Sequence, residues 1–363
     1  MQLSFLARSR AHLMRQFGPR ILQTSAFRER LLGWRAKPVD GQLCDEQLAM
    51  LLGIGDIIGA TKRRSREPTT ARAEMLESTM MVEDEPCEDV RVCDRILMNG
   101  EARLHARLYE PRGLAPNSPG IVYYHGGGFV LGDLNSHDRA CQHVARDAEA
   151  RLIAIDYRLA PENMYPSAAE DGLAAFRVVA RRAKEFDMDP SRIAVMGDSA
   201  GGNLSAVVAH KTREDAIRPA LQVLIYPAVD GTCAMESHKL FADGWVLTAE
   251  EIDWFYRCYV GEEFAARKRP DVSPLFETDF SGLPPALVYT AGFDPLRDEG
   301  IAYAKRLEES AIPVRHHCFR SLIHGFASMG GVCTAAREAT RRIAHEVRDA
   351  FAHGLSKETP SAS

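Results

Sequence analysis

In "RIAVMGDSAGGNLSAVVAHKTRE", residues 192–214, Ser199 stands between an acid and a run of small residues. A serine hydroxyl is a poor nucleophile until a base accepts its proton, and nothing bulky can stand beside it while it attacks. "RIAVM" is apolar enough for a buried strand, and "NLSAVVAHKTRE" reads as a helix. "GDSAG" therefore falls on a strand-to-helix turn and fits G-x-S-x-G, which in that setting lifts the serine above the C-terminal edge of a sheet. Gly197 and Gly201 permit such a turn. The amide of Ala200, at the start of the helix, favours negative charge. Taken alone, the same five residues describe an ordinary tight turn, so the rest of the chain has to decide.

The base must lie downstream if the chain order is serine, acid, histidine. His210, His238, His316, His317, His324, His345 and His353 are available. His210 and His345 fall in helical text, and His316 and His317 in a strand. His324, in "RSLIHGF", follows the last strand at the edge where Ser199 is expected. The acid that orients an imidazole comes from "ALVYTAGFDPLRDEG", which holds Asp294 and Asp298. Asp294 directly follows a strand, while Asp298 lies a turn further on inside a helix. Asp294 is preferred, with Pro295 as the first helical residue and Asp294 as the helix cap. Donors for a developing oxyanion come from "YYHGGGFVLGD", where the amides of Gly126 and Gly127 join that of Ala200. No G-K-[ST] and no G-x-G-x-x-G spacing supports a phosphate loop. His125 reads as a structural partner. Phe129 and, further on, Trp245 are candidates for touching substrate. Asp198 either braces the turn or contacts the pocket.

These residues need a scaffold. "VRVCDRILM" and "ARLHARLYEP" alternate like two antiparallel strands around Asn99-Gly100, a strong hairpin signal. From there strands and helices alternate: "GIVYY", "SHDRACQHVARDAEA", "RLIAIDYRLAP", "SAAEDGLAAFRVVARRAKEF", then the Ser199 strand and helix, and "ALQVLIYP". After an aromatic-rich interruption come "ALVYTAG", "LRDEGIAYAKRLEES", "VRHHCFR" and a final helix. This implies an α/β fold with a mostly parallel sheet and helices on both faces. The core is residues 86–229 and 283–363. Residues 1–85 and 230–282 lie outside it and are expected to meet as a helical cap over Ser199. Their large apolar groups, Phe17, Leu51, Leu52, Phe241, Trp245, Trp254, Phe255 and Tyr256, are then expected to set acyl length.

With 363 residues, 45% of them apolar, the chain can build a large core. A formal net charge of -5 argues against nucleic acid. The eight cysteines form no C-x-x-C pair, so no metal or redox centre is expected, and their dispersal suits free thiols in the cytoplasm. No stretch is long enough for stable membrane insertion. The arginine-rich first 35 residues read as an amphipathic helix packed on its own protein, because Gly18-Pro19 breaks the pattern early. The tail "SKETPSAS" reads as disordered.

The texts "HGGGFVLGDLNSHD", "IAIDYRLAPENMYPSAAED", "GDSAGGNL", "AGFDPLRDEG" and "LIHGF", in this order, resemble the hormone-sensitive-lipase-like family of α/β-hydrolases, in its GDSAG subgroup. The resemblance covers roughly residues 86–330. It implies a carboxylesterase with Ser199, Asp294 and His324 as triad and an oxyanion hole from Gly126, Gly127 and Ala200. It further implies a small ester substrate with a short acyl chain, no cofactor, and a family in which a homodimer is common. Arg158, Glu162 and Asp171 read as scaffold, Glu162 near the serine. An amidase or deacetylase would use the same machinery. A ligand receptor on this scaffold, as in plant gibberellin receptors, would lack the histidine that His324 supplies.

Overall fold

The Asn99-Gly100 signal is a hairpin in the computed structural model, which describes residue 29 and residues 31–58 and 65–355. Strands β1 (Val90–Asn99) and β2 (Ala102–Pro111) pair antiparallel with Asn99 opposite Ala102. Gly100 takes the left-handed conformation that an Asn-Gly turn demands, at φ 62°. β2 pairs antiparallel with β4 (Arg151–Asp156). From β4 onward the neighbours are parallel: β3 (Ser118–Tyr124), β5 (Met188–Asp198), β6 (Leu221–Ile225), β7 (Ala286–Phe293) and β8 (Val314–Ile323). The sheet has eight strands in the order β1-β2-β4-β3-β5-β6-β7-β8.

β3, β4, β6 and β7 are almost continuously apolar because both their faces are covered, whereas the edge strand β8 carries Arg315, His316, His317 and Arg320. Successive side chains point to opposite faces, and here they enter separate cores. Ile121, Tyr123, Ala194, Met196, Val223 and Leu287 pack on the side of α3 (Asp138–Asp147) and α9 (Thr334–His353). Val122, Val195 and Ile153 pack with α4 (Ser167–Arg181) and α5 (Ala200–Thr212). Leu224 and Val288 pack with Tyr303 and Leu307 of α8 (Arg297–Glu309). Each Val, Leu, Ile or Met side chain among them, fully withdrawn from water, contributes roughly 1.5–3 kcal/mol.

Residues ahead of the hairpin form α1 (Glu46–Ile58) and α2 (Pro68–Val82). Pro68 takes the first helical turn, and the Glu67 side chain accepts hydrogen bonds from the N–H groups of Thr69 and Thr70. This region is not merely an outlying lid. Leu48 and Leu52 of α1 join the cluster that contains Leu287 and Ile343, and Gln42 donates to the carbonyl of Gly292 at 2.6 Å.

The segment between β6 and β7 carries α6 (Glu236–Leu240) and α7 (Ala249–Val260), the latter opened by a capping box between Thr248 and Glu251. The N-terminal region grips this segment from outside. Arg35 donates twice to the Gly244 carbonyl, at 3.0 and 2.6 Å, and Trp34 packs edge-on to Trp245 at 5.2 Å. Arg66 lies 3.3 Å from Glu250 and over the Trp254 ring. The amphipathic reading of residues 1–28, Phe17 included, and the tail 356–363 lie outside the described residues. Among the described residues no helix is long and apolar enough to cross a membrane.

Candidate active site

Parallel order decides what meets at the C-terminal edge. β5 ends at Asp198 and α5 begins at Ala200, so Ser199 alone makes the turn, with φ 55° and ψ −118°. That is a strained conformation for a residue with a Cβ. The surroundings hold it: the Ser199 N–H donates to the Ile225 carbonyl at 2.9 Å, and Ser199 O accepts from Asn203 and Ala228 N–H groups. Gly201 is needed for close approach, since a Cβ there would collide with the backbone carbonyl of Tyr124. Ser199 is 8% exposed at the mouth of this turn.

β7 and β8 are neighbours, so the residues after them are adjacent. Their register is not uniform. Ala291 stands opposite Phe319, but Phe293 stands opposite Ile323. The offset grows from 28 (319 − 291) to 30 (323 − 293), so β8 gains two residues at a bulge. Gly292 permits it, because a Cβ there would strike the Arg320 carbonyl. Asp294 and His324 are consequently the next residues of two paired strands. His324 Nδ1 lies 2.8 Å from Asp294 Oδ2, and His324 Nε2 lies 3.0 Å from Ser199 Oγ. Asp294 is fully buried, and its other oxygen accepts the Leu296 N–H at 2.8 Å. Helix α8 starts two residues later than expected, at Arg297 with Leu296 as its cap residue, because Asp294 and Pro295 belong to the turn that aims the carboxylate. The Tyr226 ring packs against His324 at 4.7 Å.

A carboxylate on Nδ1 makes that nitrogen the donor and leaves Nε2 as the acceptor facing the hydroxyl. The line can therefore draw a proton from Ser199 and return it to a leaving group. Asp298 is engaged elsewhere: it accepts the Ser237 N–H at 2.9 Å and the Arg297 guanidinium at 2.8 Å. Its role is to anchor the start of α6. His125 is fully enclosed, with burial pulling its pKa down to about 4, and stacks on Tyr157 at 4.3 Å.

The loop after β3 corrects one expectation. The Gly126 N–H donates to Asp198 Oδ1 at 2.9 Å and is spent there. Among the described residues no hydrogen bond engages the N–H of Gly127 or Gly128. Gly128, which the sequence reading passed over, lines the cavity beside Ser199. The available amides are thus those of Gly127, Gly128 and Ala200. Asp198 likewise faces inward, towards Tyr123, and is not among the residues lining the cavity.

That cavity, about 30 Å³, is bounded by Gly128, Phe129, Ala228, Leu247, Ile252, Phe255, Tyr256 and Leu296. Phe129 lines it, held at φ 64° and stacked on Tyr259 at 3.9 Å. Trp245 is not. Its ring packs on Phe293 at 4.6 Å and beside Phe241, where it seals the 230–282 segment against the sheet. Leu52 is buried in the same cluster. No described residue before Gly128 lines the cavity; the N-terminal region reaches it only through the segment that it grips. Leu247 and Ile252 had no motif to mark them. Arg158 holds Asp171 through a bidentate pair, Nε to Oδ2 at 2.9 Å and Nη2 to Oδ1 at 2.8 Å. Glu162 pairs with Arg72 of α2 at 2.6 Å, so it anchors the N-terminal region rather than the surroundings of the serine.

Residues 121–328 match the alpha/beta hydrolase fold family. The chain is 40% identical over 301 residues to the carboxylic ester hydrolase LipN of Mycobacterium tuberculosis, covering 81% of this chain and 80% of the relative. It is 36% identical over 277 residues to the ethyl acetate hydrolase of Pseudomonas putida, covering 75% of this chain and 87% of that protein. Ester-hydrolase EH1AB1 from the metagenome of Lake Arreo superimposes with a TM-score of 0.81 at 37% identity, covering 85% of this chain and all of the other. A strained serine turn, a histidine and a buried aspartate at one sheet edge, and relatives of this likeness lead to one conclusion: the chain belongs to the α/β-hydrolase family, in its hormone-sensitive-lipase-like branch of carboxylic ester hydrolases.

Proposed function

We propose that this chain hydrolyses small carboxylic esters with short acyl groups, about two to eight carbons long, through an acyl-enzyme on Ser199. The observation that carries the reading is the hydrogen-bonded line Ser199–His324–Asp294. Ser199 Oγ bonds to the acyl carbon as its proton passes to His324 Nε2. The amides of Gly127, Gly128 and Ala200 hold the oxyanion. The bond from the acyl carbon to the alcohol oxygen then breaks, and the imidazolium gives its proton to that oxygen. Water repeats the sequence: its proton goes to His324, its oxygen bonds to carbon, and Ser199 leaves with the proton returned. Asp294 stabilises the imidazolium in both halves.

The narrow cavity supports the short end of the acyl range, since about 30 Å³ is room for about two waters. The name of the ethyl acetate hydrolase relative points the same way. We read residues 230–282 as the working cap and residues 29–85 as its outer clasp. A cytoplasmic site accords with eight free cysteines. A homodimer has the two edge strands of the sheet, β1 and β8, as its candidate faces.

A panel of p-nitrophenyl esters of rising acyl length, with a matched anilide, tests the proposal. Turnover is expected to peak at short acyl chains and to be far lower on the anilide; anilide turnover equal to ester turnover would make the chain an amidase. In the same panel Phe255→Ala is expected to move the preferred acyl length upward. Phe255 is nearly buried and walls the cavity, so its loss opens space that a longer chain can fill. An unchanged profile in a folded Phe255→Ala protein would place the acyl group elsewhere.

A further inference from the structure

The acid before the nucleophile does not reach the cavity, yet it is tied to the loop that supplies the amides. Asp198 is 5% exposed. Its Oδ1 accepts the Tyr123 hydroxyl at 2.8 Å and the Gly126 N–H at 2.9 Å, and His137 Nε2 lies 3.5 Å from the same oxygen. A Cβ on Gly126 would collide with this carboxylate. His137 is buried too, with Nδ1 2.9 Å from Ser136 Oγ, and that hydroxyl bridges to the Asp133 backbone. On the far side, the Tyr157 hydroxyl donates to the His125 carbonyl at 2.7 Å. The loop carrying the three glycines is thus fastened at its first peptides and again at the Gly127 carbonyl, which accepts from the Val130 and Leu131 N–H groups, while among the described residues the N–H groups of Gly127 and Gly128 carry no bond.

Burial alone would raise the Asp198 carboxyl. The His137 charge and the hydrogen bonds from His137 and Tyr123 bring it below the ordinary carboxylate value instead. Burial alone would lower His137, and the Asp198 charge raises it. Both directions favour a carboxylate facing an imidazolium. A buried ion pair is weak evidence for stability, because desolvation offsets much of the attraction. What this pair does have is reach: it joins the residue before Ser199 to the loop after β3.

We propose that Asp198 and His137 are positioning residues for the oxyanion donors. The carboxylate takes the Gly126 N–H and fixes the peptide plane, so that the N–H groups of Gly127 and Gly128 face the carbon attacked by Ser199. His137 holds the carboxylate in place. The inference rests on the reading of Ser199 as nucleophile.

The test uses kcat and KM on p-nitrophenyl butyrate, Ki of a trifluoromethyl ketone of matching acyl length, and Tm. The ketone forms a tetrahedral adduct and needs the same amides as the transition state. Wild-type turnover and labelling of Ser199 by a fluorophosphonate come first; failure there overturns the underlying reading separately. Asp198→Asn keeps an acceptor oxygen but loses the charge, and His137→Gln removes the cation. Each is expected to lower kcat by about 10–100-fold with KM within about threefold, since loss of a whole donor typically costs 10²–10³. Ki of the ketone is expected to rise by the same factor as kcat/KM falls. A fall in Tm with kcat and Ki unchanged would reduce the pair to a fold brace and overturn the proposal. A raised KM with kcat unchanged would mean that Asp198 contacts substrate, and would also overturn it. If Asp198→Asn does not fold, His137→Gln is read alone. If neither folds, Tyr123→Phe, which removes one hydrogen bond to Asp198, must show the parallel loss in kcat and ketone affinity.

Discussion

Ser199→Ala is expected to lower kcat by about 10⁶-fold on every ester of the panel while the protein stays folded. The side chain is small and sits at the mouth of its turn, so alanine removes the oxygen and little packing. The backbone restraints on the turn come from Ile225, Asn203 and Ala228, and they survive the change. Without Oγ there is no acyl-enzyme, and only the binding and amide contributions remain. His324→Ala is expected to fall to the same level, and the double variant no further, because members of such a unit fail together. His324→Ala also leaves space beside Tyr226, so its thermal midpoint should drop more than that of Ser199→Ala. The measurement is the release of p-nitrophenol from the acetate, with a folded-state check by circular dichroism. A folded Ser199→Ala protein that keeps more than about 1% of wild-type turnover would sink the assignment.

Asp294→Asn is expected to lower kcat by about 10⁴-fold, and Asp298→Asn by less than about tenfold. The two acids are four positions apart in chain and both near the sheet edge, yet they have different partners. Asp294 Oδ2 holds His324 Nδ1, and an amide in its place can present N–H to the ring and select the wrong tautomer. In that orientation the amide oxygen still accepts the Leu296 N–H, so the turn itself should persist. Asp298 binds the Ser237 N–H and Arg297, so its replacement loosens α6 and should register in thermal stability more than in kcat. Steady-state kinetics on both variants decides this. The reverse ranking would transfer the acid to Asp298 and contradict the geometry of the site.

Much of the fold was legible in the chain because its signals are local. Asn99-Gly100 between two alternating runs prescribes a hairpin, and the structure pairs Asn99 with Ala102. Short apolar runs separated by helical text prescribe a buried parallel sheet. Ser199 was legible for the same reason: a small-residue turn between a strand and a helix leaves one side chain to be presented. His324 and Asp294 could be preferred by position, since each follows a strand whose C-terminal edge is shared with Ser199.

Other features depended on residues far apart, and no local pattern encodes them. The bulge that shifts β8 by two residues against β7 is what puts Asp294 and His324 side by side. It depends on Gly292 meeting the Arg320 backbone, a contact between strands. Which glycine amides stay available depends on Asp198, 72 positions from Gly126, claiming the first of them. Which aromatic groups wall the cavity depends on how α7 lies over it. Phe255 and Tyr256 face the site while Trp245, no less apolar, is used to seal the segment to the sheet. Composition and periodicity say that such groups will be buried. Only the packing of one element on another decides whether they are buried against the protein or against its substrate.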